Sequence, residues 1–254
     1  MEHRALNTVP RTQIWDENLI ETYLALGLAM PKTRLERGDG FVACLGEIDH
    51  PVANFACRLR LNPNSAARLR HLCDSMRSFH VYHLPQSEPD YVPELLERAG
   101  LYCSSQLVQM HWQGVCETPE SQLGIHKASS GSKRVQIATF MADQFFGKQS
   151  SSFRAGVIQA TSSADKLDLY EVVHNGNTIA AFMLCDHPNS IGLYNLCLQS
   201  SLRHRGWGSK IVERIQHLAF LLEKPIVLQC EERLRPWYEA KSFAEVGQVH
   251  IYRT

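Results

Sequence analysis

The sequence predicts an α/β protein, more narrowly an α+β mixed sheet with helices on it, assembled from two related halves. Three observations predict this. Segments of strand period and helix period alternate along the chain. Residues 95–110, "LLERAGLYCSSQLVQM", can be laid on residues 237–252, "WYEAKSFAEVGQVHIY", at a constant offset of 142, pairing Glu97 with Glu239 and Leu101 with Phe243. Between these copies, "ETPESQLGIHKASSGSKR" (117–134) is rich in Ser, Gly, Pro and Lys and lacks apolar periodicity, so it reads as a linker. The chain divides into a first half, 1–116, and a second, 135–254.

In the first half, "CRLRLNPNSAARLRHL" (57–72) reads as a strand running into a helix. Ala66, Leu69, Leu72, Cys73 and Met76 recur at helical spacing behind Asn64 and Ser65, either of which can cap that helix. "FHVYHL" (79–84) alternates and is aromatic, a strand. "YVPELLERAG" (91–100) is a short helix with Pro93 in its first turn and Gly100 as its stop, and "LYCSSQLVQMHW" (101–112) follows as a strand.

The second half opens with helices around "IATFMADQFF" and "SFRAGVIQA". "LDLYEVVHNGNTIAAFMLC" (167–185) is a hairpin, because Asn175-Gly176-Asn177 separates two β-rich runs. "SIGLYNLCLQ" (190–199) is a third strand and leads into a glycine turn. The helix 208–222 carries Ile211, Val212, Ile215, Leu218, Ala219 and Leu222 on one face. "PIVLQC" (225–230) is an apolar buried strand, and "PWYEAKSF" and "GQVHIYR" supply a last helix and strand.

Composition excludes several functions. The chain has 254 residues, 44% hydrophobic and 20% charged, with 26 Lys+Arg balancing 26 Asp+Glu. No net field draws it to nucleic acid or an anionic membrane. No apolar run approaches the roughly 20 residues that cross a bilayer. The N-terminus lacks the apolar stretch of a signal peptide. Eight cysteines and twelve histidines are scattered without CxxC or HExxH spacing. They predict buried free thiols in a reducing cytoplasm and no metal.

The turn "SLRHRGWGSK" (201–210) carries the chemistry. Gly206 and Gly208 beside Arg203 and Arg205 make either a tight turn into a helix or a seat for an anion. A helix's first N–H groups lack intrahelical partners and its dipole adds positive potential there. Glycine lets a phosphate reach that backbone. Ile211 stands where GxGxxG needs glycine, and "GSK" reverses the order that GxxxxGK[ST] needs.

Arg203-x-x-Gly206-x-Gly208 behind a strand resembles the acetyl-CoA pyrophosphate loop of the GNAT superfamily of N-acetyltransferases. "RPWYEAKSF" (235–243) resembles that family's late "PFYEKLGF" segment, and the order of elements over about 135–254 agrees. The resemblance implies the acyl-CoA N-acyltransferase (GNAT-like) fold, with acetyl-CoA as cosubstrate. It implies that Leu196, Cys197 and Leu198 pair with the pantetheine arm. The pyrophosphate would lie on the amides of His204, Arg205, Gly206, Trp207, Gly208 and Ser209. Tyr238 would donate a proton to the leaving thiolate, a transfer between groups of comparable pKa.

An ammonium must lose a proton before attack. The candidates to take it are Glu171 on the hairpin's first strand, Asp186 at the end of its second, and Tyr194 or Asn195 relaying through water. The sequence departs from the family at three places: Glu231 replaces an Asn seven residues before the tyrosine, Ser242 replaces a Gly and Ser200 a Pro. In the first half Leu96 stands at the tyrosine position and no RxxGxG occurs between 40 and 90. That half is expected to be a degenerate GNAT-like copy that packs on the second and shapes the acceptor site with residues 145–156. The expectation is a cytoplasmic monomer or homodimer that acetylates a small-molecule or peptide amine by direct attack. Cys197 is expected to be a buried structural thiol rather than an acyl carrier. A non-catalytic acyl-CoA-binding or sensing module is the alternative.

Overall fold

Residues 11–115 and 123–254 are described by the computed structural model. The first half supplies α1 (Arg11–Ala29), β1 (Arg34–Gly38), β2 (Phe41–Leu45), β3 (Phe55–Cys57), α2 (Pro63–Ser75), β4 (His80–His83), α3 (Val92–Arg98) and β5 (Tyr102–Trp112). The second supplies β6 (Gly124–Lys127), α4 (Gly131–Phe146), α5 (Ser151–Ser163), β7 (Leu167–His174), β8 (Asn177–His187) and β9 (Ser190–Leu198). It continues with α6 (Trp207–Leu221), β10 (Ile226–Cys230), α7 (Arg235–Glu239) and β11 (Ala244–Arg253).

All of these strands share one eleven-stranded mixed sheet, ordered β1-β2-β3-β4-β11-β5-β10-β9-β8-β7-β6. The halves exchange their last strands. β5 lies between β10 and β11, and β11 lies between β4 and β5, antiparallel throughout. The offset of 142 carries Tyr102, the start of β5, onto Ala244, the start of β11. The sequence echo is therefore a structural repeat.

One face of the sheet is continuous across both halves. Phe55 and Tyr82 of the first share a core with Met141, Ala181 and Tyr194 of the second, beneath α1 and α4. The other face has two separate cores, one under α2 and α3 that takes in Tyr252 of β11 and one under α6 that takes in Val108, Met110 and Trp112 of β5. α1 fastens the halves together. Asn18 donates to Ser190 Oγ at 3.1 Å and to the Cys185 carbonyl, and accepts from the Tyr194 hydroxyl at 2.8 Å. Gly192 on β9 makes room for it, since a Cβ there would overlap the Asn18 side chain.

Several expectations need correction. α2 is capped by Asn62, not Asn64 or Ser65: Pro63 opens the helix, and Asn62 and Ser65 form a reciprocal capping box. The stretch 117–134 is more than a linker. Residues 117–122 lie outside the described residues, but 124–127 form β6 on β7 and α4 begins at Gly131. The sequence pattern predicts neither α1 nor the β1–β2 hairpin. Of the seven described cysteines all are free, but Cys103 is exposed; Cys116 lies outside the described residues.

Ser242 occupies the left-handed region with φ 61°. That region costs an L-residue about 1–2 kcal/mol. Ser242→Gly is expected to raise the melting temperature by roughly 2–4 °C for a chain of this size, read by calorimetry. An unchanged or lower value would show that the strain at φ 61° is no larger than the chain entropy that glycine adds to the unfolded state.

Candidate functional site

The glycine turn is open in the way an anion seat requires. After a 3-10 turn at Ser200–Leu202, His204 (φ 61°) and Gly206 (φ 81°) both adopt left-handed backbone, and Gly206 caps α6 with no side-chain hydrogen bond. The first intrahelical bond comes from the Lys210 amide to the Gly206 carbonyl. The amides of Trp207, Gly208 and Ser209 thus have no intrahelical partner. Residues 203–206 are exposed, and nothing lies within 4 Å of the position a Gly206 Cβ would take. Among the described residues, no carboxylate pairs with Arg203 or Arg205; the Arg203 Nε donates to the Leu198 carbonyl at 3.3 Å. Trp207 packs on His174, with ring centroids 4.5 Å apart, and Lys210 Nζ sits 5.1 Å over its ring.

The strand leading into this turn parts from its neighbour. β9 and β10 run parallel and register only at Ile191 with Ile226 and Gly192 with Val227. Beyond them β9 continues to Leu198 paired with β8 alone, while β10 turns to β5. Leu196, Cys197 and Leu198 therefore line one side of a wedge that opens toward the glycine turn. A bulge at Asn195 (φ 49°) marks where β9 bends.

Tyr238, on α7, is buried, with its ring against Trp237 at 4.7 Å and Phe243 at 5.4 Å. Burial pushes its phenol well above the ordinary value, and Cys230, on the strand across the wedge, adds to the rise. It stays protonated at neutral pH. A wedge beside a strand bulge, an uncapped glycine turn into a helix and a protonated tyrosine thus lie on consecutive elements.

No protein-family model matches the chain, and no curated protein matches it in sequence. Solved structures do match in shape. A GCN5-related N-acetyltransferase from Kribbella flavida superposes with TM-score 0.63 at 12% identity, covering 92% of this chain and 94% of that one. A tandem GNAT protein from the clavulanic acid biosynthesis pathway gives 0.61 at 12% identity, covering 93% and 94%. An acetyltransferase of the GNAT family from Colwellia psychrerythraea gives 0.53 at 10% identity, covering 93% and 96%. This chain has the GNAT fold. It carries that fold as two tandem GNAT-like halves.

The first GNAT-like half has the same wedge and the same helix, and both are closed. β3 and β4 register only at Phe55 with His80 and Ala56 with Val81. Where they part, the Glu88 carboxylate fills the gap, accepting from the Leu59 amide at 2.7 Å and the Leu84 amide at 3.0 Å. The N-terminus of α2, the counterpart of α6, is filled by Asn62 and Ser65. Sequence reasoning found no loop motif here but missed Glu88. Its only signal is an acidic residue just behind a β-rich run.

Burial drives the Glu88 pKa up to about 7 from 4.5, against the opposing pull of its two amide bonds and Arg60, with Asp16 adding to the rise. A raised folded-state pKa gives stability that is full below about pH 4.5 and lost as pH climbs through 7. The stability of the wild type relative to Glu88→Gln is expected to fall by about 3 kcal/mol from pH 4 to pH 8, read by urea denaturation. A pH-independent difference would mean that the buried charge costs nothing.

Three of the four candidates in the GNAT-like second half, Glu171, Asp186 and Tyr194, are engaged, while Asn195 is exposed at the bulge. Glu171 is buried on β7, two strands from β9 through Ala181 and Cys197. Its carboxylate pairs with Lys133 Nζ at 2.6 Å and accepts from the Thr178 hydroxyl at 2.9 Å. Asp186 pairs with Lys224 at 2.5 Å, and Tyr194 donates to Asn18. Cys197 donates to the Ala181 carbonyl, and burial pushes its thiol up to about 12, so it is no thiolate nucleophile. Glu231, the departure beside the wedge, pairs with Arg233 at 2.5 Å.

A cleft of about 1170 Å³ separates the halves on the shared face. Residues 47–51 of the β2–β3 connection form one wall, and the α4–α5 corner with Phe146, Ser150 and Phe153 forms the other. Behind it a smaller pocket of about 160 Å³ reaches Tyr194 and Asn195 at the bulge. His50 and Phe146 line both spaces. Among the described residues, no group of His, Cys, Asp and Glu is placed to hold a metal, and no helix is long and apolar enough to cross a membrane.

Proposed function

We propose that the second half binds acetyl-CoA and transfers its acetyl group to an amine by direct attack. One contrast carries the reading: Glu88 bonds across the parted strands and Asn62 fills the helix N-terminus in the first half, whereas in the second the strands part after Gly192 and the helix N-terminus has no side-chain cap. In this reading Leu196, Cys197 and Leu198 pair with the pantetheine arm. The amides of His204, Arg205, Gly206, Trp207, Gly208 and Ser209 receive the pyrophosphate, with Arg203 and Arg205 at its rim. The thioester carbonyl lies by the bulge at Asn195. The amine reaches it through the cleft between the halves. Its nitrogen forms the new bond to carbon, the carbon–sulfur bond breaks, and Tyr238 protonates the departing sulfur.

The test is a thermal melt with acetyl-CoA followed by product analysis with amines. At 100 times its Kd the ligand adds about 2.7 kcal/mol, which moves the melt by roughly 5–10 °C. A melt that does not move would sink the reading. The engagement of Glu171, Asp186 and Tyr194 favours one rival, a non-catalytic acyl-CoA-binding module. That module would give the shift but would transfer acetyl to no amine and release no CoA thiol.

A further inference from the structure

The inner pocket is short of one thing an acetyl acceptor ordinarily needs. Leu26, Met30, Val52, Phe145 and Val157 form its apolar walls. Its polar groups are three hydroxyls, from Tyr23, Thr161 and Tyr194, the Asn195 amide and the His50 ring. Among the described residues, no carboxylate lines it. His50 is not a base here either. Its Nδ1 accepts the Val52 amide at 3.0 Å, which leaves the proton on Nε2, and burial lowers its pKa to about 4. The Tyr194 hydroxyl is turned to Asn18.

An ammonium in this pocket would lose its hydration without gaining a counter-charge. Nor would it meet a group able to take its proton at neutral pH. The outer cleft does hold carboxylates, but Glu47 is paired with Lys32 at 2.8 Å and Asp49 faces Arg77. The neck is aromatic. His50, Phe146 and Phe153 stand 5.4 to 5.7 Å apart, the spacing of edge-to-face rings. The space behind them matches the roughly 150 Å³ that accommodates a benzene ring.

We infer that the acceptor is a weakly basic aromatic amine, which enters the pocket between Phe146 and His50 already neutral. This rests on the transfer reading given under Proposed function. The step balances without an enzyme base: the amine lone pair forms the carbon–nitrogen bond and the carbon–sulfur bond breaks. The proton lost from nitrogen replaces the one that Tyr238 gives to sulfur. A neutral amine and a thioester become an amide and a thiol. Aromatic faces also attract cations, so the competing occupant is an alkylammonium.

p-Toluidine and benzylamine, isomers that differ in basicity, separate the two. The full chain is assayed with acetyl-CoA by mass spectrometry of the N-acetyl product. The expected kcat/KM for p-toluidine is constant within about twofold from pH 6 to 9 and about 100-fold above that for benzylamine at pH 7. Benzylamine should gain about tenfold per pH unit as its free base appears. Phe146→Ala should raise the KM for p-toluidine about tenfold while leaving the acetyl-CoA melt shift intact. Benzylamine turning over at pH 7 within tenfold of p-toluidine would overturn the inference. So would an intact melt shift with no acetylated p-toluidine, and in both cases cofactor binding would stand. Absence of the melt shift itself would overturn the underlying transfer reading as well.

Discussion

Gly206→Glu is expected to remove the acetyl-CoA melt shift completely while leaving a folded protein. No atom lies within 4 Å of the new Cβ, so the substitution meets no clash. Its cost to folding is the left-handed strain of φ 81°, about 1–2 kcal/mol. Its effect on the ligand is far larger. A carboxylate at the cap of α6 puts a negative charge where the pyrophosphate would lie, at the helix end whose dipole favours anions. Like charges brought together across an interface cost several kcal/mol, and thus at least about 100-fold in Kd. A mutant melt that still moves by several degrees with acetyl-CoA would place the ligand elsewhere.

Tyr238→Phe is expected to act on the opposite quantity. The ring contacts with Trp237 and Phe243 survive the substitution, so stability and the acetyl-CoA shift should stay near wild type. Only the hydroxyl is lost, and with it the proton for the leaving sulfur. General acid catalysis contributes about 100-fold or more, so kcat should fall by that much. The pH profile gives a second readout. Burial holds the phenol protonated far above neutrality, so the wild type should show no loss of donor up to about pH 9. A kcat equal to the wild type's would mean that the thiolate departs unaided.

Local signals made much of this legible in the sequence. Asn175 and Gly176 both have positive φ, as the hairpin turn demands, and Pro93 and Gly100 bracket α3 as their backbone preferences require. The 142-residue offset anticipated the pairing of α3–β5 with α7–β11. What failed is where burial is two-sided or polar. α1 turns Asp16, Asn18 and Thr22 into the core, so its apolar period is broken and no helix face can be read from it. In β1 and β2 the strands are five residues long, and Arg34, Glu36 and Arg37 on the edge strand hide the alternation.

The site divides along the same line. The glycine turn is a local motif and could be read directly. The state of the candidate bases depends on partners far along the chain, as in Asn18 with Tyr194, and spacing carries no trace of them. The first half's closure was expected from a missing motif. Its physical agents, Glu88 and Asn62, appear only once the diverging strands bring the Leu59 and Leu84 amides to either side of one carboxylate.

The exchange of β5 and β11 binds the fate of the two halves together. Cut within 116–122, the first fragment would keep β4 and β5 with an empty slot between them, and the second would keep β10 and β11 with another. Each slot exposes two rows of unpaired amides and carbonyls, an invitation to any free strand. The strand that fits is the one the fragment already carries at its own end, offered by a neighbouring molecule. Severed halves would therefore pair with copies of themselves through swapped termini, and an arrangement fixed within one chain would become an assembly that depends on concentration.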